Sequence, residues 1–154
     1  MSKNFVMLVG LPGSGKTTYK LAHCLNHISI STDDYIDVMS RITGKTYNEL
    51  FVDHIKDANA YLAKNLQEAL IEGNNIVWDQ TNLTKKKRMS VLEKIPSDYT
   101  KTCVVFNIPE DVLVARRAGR IGKTIPQGIL NNMVQSFEQP SASEGFDYIM
   151  EFKL

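Results

Sequence analysis

The chain has 154 residues, 43% of them hydrophobic and 23% charged, with a formal net charge of +1. That length allows one ordinary core, and so average a composition excludes a disordered, collagen-like or membrane-embedded class. Near-neutral charge excludes a surface that is basic throughout, so any polyanion has to be met by a local patch.

Phe5 to Val9 is an apolar run ending at a glycine, which predicts a short buried strand. The next nine residues, GLPGSGKTT from Gly10 to Thr18, fit the pattern G-x-x-x-x-G-K-[ST]. Glycines in such a loop let backbone N–H groups turn onto phosphates, so Gly10, Pro12, Gly13, Ser14 and Gly15 form the expected cradle for a nucleoside triphosphate. Lys16 then reaches the outer phosphates, Thr17 places a hydroxyl on Mg²⁺, Thr18 lies beside it, and a helix opens from Gly15 onward. The N-terminal residues pass straight into this loop, which predicts no cleavable signal and a cytoplasmic setting. No stretch approaches the length of a membrane span. The two cysteines, Cys24 and Cys103, lack C-x-x-C spacing and are expected to be reduced and structural.

Ile28 to Ser31 is a second strand candidate, followed by Thr32-Asp33-Asp34-Tyr35. A carboxylate at a strand end can take the proton of an acceptor hydroxyl, the positioning role that phosphoryl transfer needs. S-T-D-D is equally good N-cap chemistry. Asp33 is favoured for catalysis, while for Asp34 catalysis and the cap weigh about equally, and Asp34 is also a candidate on the acceptor side.

Leu50, Ile55, Ala58, Leu62, Leu66 and Ala69 recur at helical spacing up to a stop at Gly73-Asn74, predicting a long amphipathic helix. Ile76 to Trp78 reads as a third strand that ends at Asp79, where a Walker-B-like carboxylate holds metal directly or through water. Gln80, Thr81 and Asn82 follow as turn formers, with Thr81 and Asn82 also candidates for the acceptor. Thr84 to Glu93 looks helical, with Lys85, Lys86, Lys87 and Arg88 expected on a solvated face.

Thr102 to Ile108 is a continuous apolar strand candidate. Pro109, Glu110 and Asp111 open a helix through Arg117. Arg116 and Arg120 are four apart and should share a face, and Gly119, Gly122 and Lys123 would let a segment at about 116–125 close as a lid over the triphosphate. A solvated basic helix end is the alternative. Pro126 starts another helix, with Ile129, Leu130, Met133, Val134 and Phe137 as its apolar stripe, and Phe146 to Phe152 forms a last strand.

Strand and helix alternate from start to finish, predicting an α/β fold with a mostly parallel central sheet, helices on both faces and one domain over 1–154. Right-handed crossovers would gather the loops at Gly10, Thr32 and Asp79 along one sheet edge. His23, His27 and His54 lack metal-ligand spacing, and Trp78 reads as core.

The ordered set GLPGSGKTT, STDDY, VWDQTNL, R-x-x-x-R at Arg116 and Arg120, and SFEQPSASEGFDYI resembles the polynucleotide 5′-kinase family, the P-loop kinase module of phage and eukaryotic end-healing enzymes. The resemblance implies a three-layer P-loop kinase fold, ATP as donor and a 5′-hydroxyl end of RNA or DNA as acceptor. It implies phosphate and Mg²⁺ contacts at Lys16 and Thr17, a general base at Asp33, a lid arginine at Arg120 and support from Arg116. One position departs from it: Ile36 stands where the phage enzymes carry an arginine that clamps the acceptor strand, and Arg41 is the candidate substitute. No D-x-D-x-T phosphatase motif is present, so a phosphatase or ligase would be another chain. The missing clamp and low net charge favour a competing reading, phosphorylation of a small hydroxylated metabolite or nucleoside. An ATP-gated switch without an acceptor is the third.

Overall fold

Alternation along the buried strands sets the architecture. On β1 (Lys3–Val9), Phe5, Met7 and Val9 point to one side and Leu8 to the other, all with no exposed surface. Such two-faced burial is what a parallel sheet covered on both sides requires. A computed structural model of the protein describes residues 2–120 and 125–154, with the backbone alone at 51–53 and 55. The predicted stripe position Ile55 and lid residues 121–124, including Gly122 and Lys123, therefore lie outside the described residues.

After β1 the elements are α1 (Lys16–His23), β2 (Ile28–Ile30), α2 (Thr32–Thr43), α3 (Tyr47–Glu72), β3 (Ile76–Asp79) and α4 (Lys85–Leu92). Then come β4 (Tyr99–Asn107), α5 (Glu110–Ala118), α6 (Gln127–Ser136), a 3₁₀ turn (Ala142–Glu144) and β5 (Tyr148–Lys153). The parallel sheet is as the sequence predicts: among the described residues five strands are all parallel, and the structure adds their order, β2-β3-β1-β4-β5 with β1 central. Because every pairing is parallel, the C-terminal ends of β1, β2 and β3 fall on the same edge. The loops at Gly10, Thr32 and Asp79 meet there.

One face of the sheet packs Phe5, Met7, Trp78 and Val105 against Leu62, Leu66 and Ala69 of α3 and Leu92 of α4. The other packs Leu8, Val77, Val104 and Phe106 against Tyr19 of α1 and Cys24. A third cluster joins α2 to α3 through Ile36, Leu50 and Ala58, with Tyr35, Met39 and Tyr47 against it. Both cysteines are free and buried, and burial pushes the Cys103 thiol up to about 12.

Two expectations need correction. β4 begins at Tyr99, three residues before the apolar run at Thr102, because its polar start still pairs with β1 from Lys3↔Tyr99 onward. The stripe from α6 is only partly in the core: Leu130 is buried, Met133 is half-buried and Phe137 packs against the main cluster, whereas Ile129 and Val134 are exposed. No helix among the described residues is long and apolar enough to cross a membrane.

Candidate active site

The turn from β1 into α1 carries the phosphate-loop motif. Gly13 has φ +87°, which favours glycine on conformational grounds, and a Cβ there would lie 3.2 Å from Cγ of Arg117, so that side chain would have to give slightly. At Gly10 a Cβ would fall 2.6 Å from Ser14 Oγ. That hydroxyl is buried inside the loop without a hydrogen-bond partner among the described residues, a polar atom of the kind an incoming phosphate oxygen satisfies.

Lys16 Nζ donates to the Gly10 carbonyl at 2.6 Å. Burial brings its ammonium down to about 8, against the pull of Asp79 and Asp33 and with a push from Arg120. Asp79, Asp33 and Arg120 thus all act on Lys16 across the loop edge. Thr17, at the start of α1, is exposed, as is Thr18.

Asp79 ends β3 as predicted, and its Oδ2 accepts from Lys20 Nζ at 2.9 Å. Lys20 also donates to Ser29 Oγ at 3.0 Å and lies 3.9 Å from Asp34 Oδ1, while Ser29 Oγ donates to Asp34 Oδ2. Burial pulls the Lys20 ammonium down, but the charge and hydrogen bond of Asp79, then Asp34 and Asp33, outweigh it and the net shift is upward. Sequence reading missed Lys20. Its place one helical turn after Lys16, on the same face of α1, was the signal available.

Ser31 caps α2 by accepting from Asp34 N at 3.0 Å. The cap therefore uses the Asp34 backbone and leaves both carboxylates of the first turn to side-chain chemistry. Tyr47 Oη donates to Asp33 Oδ1 at 2.5 Å. Beyond Asp34 an open cleft of about 520 Å³ runs along α2, lined by Asp34, Asp37, Val38, Ser40 and Arg41. Arg41 is exposed in the last turn of α2, and Ile36 is wholly buried against α3.

The β3–α4 turn joins the loops together. Gly10 N donates to the Thr81 carbonyl, and Gln80 Oε1 accepts from both N and Oγ1 of Thr32. Asn82, at φ +51°, is buried, and its amide donates to the carbonyls of Leu8 and Gln80. Those contacts are a turn former's: the Asn82 side chain spans two backbone segments.

Arg116 Nη1 donates to the Gly13 carbonyl and Arg117 Nη1 to that of Pro12, so α5 is fastened onto the phosphate loop. The helix ends at Ala118, which places Arg120 beyond it and removes the shared helical face expected for Arg116 and Arg120. Arg120 still reaches the site electrostatically, acting on both Lys16 and Tyr47. The solvated face expected for residues 85–88 holds for the three lysines and fails for Arg88. Arg88 is wholly buried, donating from Nε and Nη2 to Glu144 and from Nη1 to the Asn82 carbonyl.

An AAA domain family model matches residues 5–140. The chain is 27% identical over 152 residues to L-seryl-tRNA(Sec) kinase of Methanococcus maripaludis, covering 92% of this chain and 55% of that protein, about half the relative's length. Its fold is similar to a sugar kinase from Janibacter sp. HTCC2649 (TM-score 0.66, 18% identity, 98% of this chain and 85% of that one). It is also similar to a chain of the Pnkp1/Rnl/Hen1 RNA repair complex (TM-score 0.66, 21% identity, 88% and 44%). The chain belongs to the AAA domain family and has the parallel-sheet fold of P-loop kinases.

Proposed function

We propose that this AAA-domain chain is a kinase that transfers the γ-phosphoryl group of ATP to the 5′-hydroxyl end of a polynucleotide. The observation that carries the reading is that the phosphate loop and the start of α2 are both hydrogen-bonded to the β3–α4 turn, Gly10 N to the Thr81 carbonyl and Thr32 to Gln80, which gathers Lys16, Asp33 and Asp79 at one sheet edge, where Arg120 also acts on Lys16. Transfer of this kind depends on alignment and charge neutralisation, and the grouping supplies both. The acceptor oxygen bonds to the γ-phosphorus, the bond to ADP breaks with its electron pair on ADP, and the hydroxyl proton passes to Asp33.

Lys16 and the loop amides hold the donor phosphates, Ser14 Oγ gains its missing partner there, and Arg116 and Arg120 face the transferred charge. The exposed Thr17 hydroxyl and the Asp79 carboxylate are the hard oxygen donors that suit Mg²⁺, and a bound ion supplies further neutralisation of the outer phosphates. A nucleic-acid acceptor draws support from two relatives whose names place them on RNA substrates, a seryl-tRNA kinase and an RNA repair complex. Arg41 in the last turn of α2 and Thr81 in the β3–α4 turn are assigned to the acceptor side in place of a clamp at Ile36, and end sealing falls to a separate ligase.

A second reading, a small hydroxylated acceptor, is favoured by the cleft itself, where Asp34 and Asp37 flank the single Arg41 and would repel a phosphodiester. Labelled γ-phosphate ATP with Mg²⁺, offered a 5′-hydroxyl oligonucleotide, its 5′-phosphate counterpart and a nucleoside pool, separates the two. Label on the 5′-hydroxyl strand alone, with acceptor affinity falling steeply as salt rises, supports the polynucleotide. Label confined to nucleosides overturns it. Asp33→Asn should lower transfer about 10²-fold or more with ATP affinity intact, the effect expected of a lost general base; equal loss of both would remove Asp33 from that role.

A further inference from the structure

Tyr47 opens α3, yet its hydroxyl lies on Asp33, fourteen residues earlier in the first turn of α2, at 2.5 Å from Oδ1. Its placement is built in. Thr46 caps α3 through a reciprocal capping box with Glu49, and the Tyr47 ring packs against the cluster of Ile36, Leu50 and Ala58. Burial, the charge of Asp33 and the bond to it, and Asp37 all push the phenol above its usual range, so it remains a donor throughout the working range of pH.

We infer that Tyr47 guards the base: its phenol fills the place on Asp33 that a water molecule would otherwise take, and so suppresses hydrolysis of bound ATP. The inference rests on the reading of Asp33 as the base. In the suppressed reaction a water oxygen bonds to the γ-phosphorus, the bond to ADP breaks with its electron pair on ADP, and the water proton goes to Asp33. With the phenol on Oδ1, an unanchored water has to compete for that oxygen with a donor that the fold already holds in place. An acceptor alcohol held by its own contacts along the cleft competes for Asp33 with the advantage of proximity. Tyr47 is thus a specificity-determining residue, setting how ATP divides between alcohol and water.

The test needs no acceptor. ATP hydrolysis with Mg²⁺ is compared in the wild-type protein, Tyr47→Phe, Asp33→Asn and the double variant, with ATP affinity and thermal unfolding measured for each. Tyr47→Phe should raise acceptor-free hydrolysis about tenfold, the factor at stake in one charge-assisted hydrogen bond, with ATP affinity unchanged. The double variant should hydrolyse no faster than Asp33→Asn alone. A merely structural role would lower hydrolysis and melting temperature together, so Tyr47→Phe at or below the wild-type rate overturns the inference, as does a double variant faster than Asp33→Asn. The two claims fail differently: wild-type hydrolysis in Asp33→Asn removes the base and its guard together, whereas loss there with no gain in Tyr47→Phe removes the guard alone.

Discussion

Two ion pairs of similar chemistry stand in opposite surroundings. Arg88 and Glu144 have side chains 0% and 2% exposed, and their partners are all protein: Glu144 also accepts from Ser141 N at 2.7 Å, and Arg88 also holds the Asn82 carbonyl. Lys20 and Asp79, at 13% and 11%, lie on the edge where the loops meet, and Lys20 has Ser29 and Asp34 within reach. The first pair ties α4, the β3–α4 turn and the 3₁₀ turn into one unit; the second joins α1, β3 and α2 around the site. A pair sealed on every side can only fasten, whereas a pair open on one side can also take part in what binds there.

The largest effect should come from breaking the sealed pair. Arg88→Met leaves Glu144 charged and buried without its counterion, and such losses cost about 3–5 kcal/mol. At this size that is a fall of about 10 °C in melting temperature. ATP affinity of the folded fraction should stay as it was. Adding Glu144→Leu should recover most of the loss, because two apolar side chains need no partner. A melting temperature unchanged in Arg88→Met would show that the pair fastens nothing.

Lys20→Met should invert that pattern. Water reaches the open side of Asp79 and holds the stability loss to about 1.5–2 kcal/mol, the low end of the range for one hydrogen bond to a charged group. Phosphoryl transfer should fall about tenfold or more, because misplacing the carboxylate beside the donor loop disturbs alignment. Melting and transfer measured on the same preparations decide the matter. If Lys20→Met unfolds as readily as Arg88→Met and the folded remainder transfers normally, the two pairs have the same role.

The contrast marks where sequence was informative. The strands could be read from apolar runs, and the loop from its glycines, because both are local patterns; the order of the strands across the sheet rests on long-range pairing and has no local sign. Asp33 and Asp79 could be placed on one edge for a related reason: Asp79 ends a strand and Asp33 comes just after one, and the parallel topology gathers those ends. Arg88 was misjudged because its run of four basic residues looks solvated, and the partner that buries it lies 56 residues away in a turn with no charge pattern of its own. Part of the C-terminal stretch that resembles end-healing kinases thus has an architectural task, with Ser141 and Glu144 closing a capping box beneath Arg88. Tyr47 left no local trace either, since the contact with Asp33 exists only once α2 and α3 fold onto each other.

The smallest effect concerns a third buried cation and sharpens the comparison inside the site. Lys16 and Lys20 are one turn apart on α1, yet burial takes Lys16 down to about 8 while carboxylates lift Lys20. The difference is the partner: Lys16 donates to a carbonyl, which carries no full charge to offset desolvation. Without nucleotide, Lys16 is therefore protonated below about pH 8 and loses its proton above it. Triphosphate oxygens restore the missing negative charge and favour the ammonium, so ATP binding should take up a fraction of a proton near pH 8 to 9 and almost none near pH 6.5. Calorimetric titration in buffers of different ionisation enthalpy reads that uptake directly, and Lys16→Met should abolish it. Uptake that persists in Lys16→Met would assign the proton to another group and leave the phosphate loop with a lysine charged at every working pH.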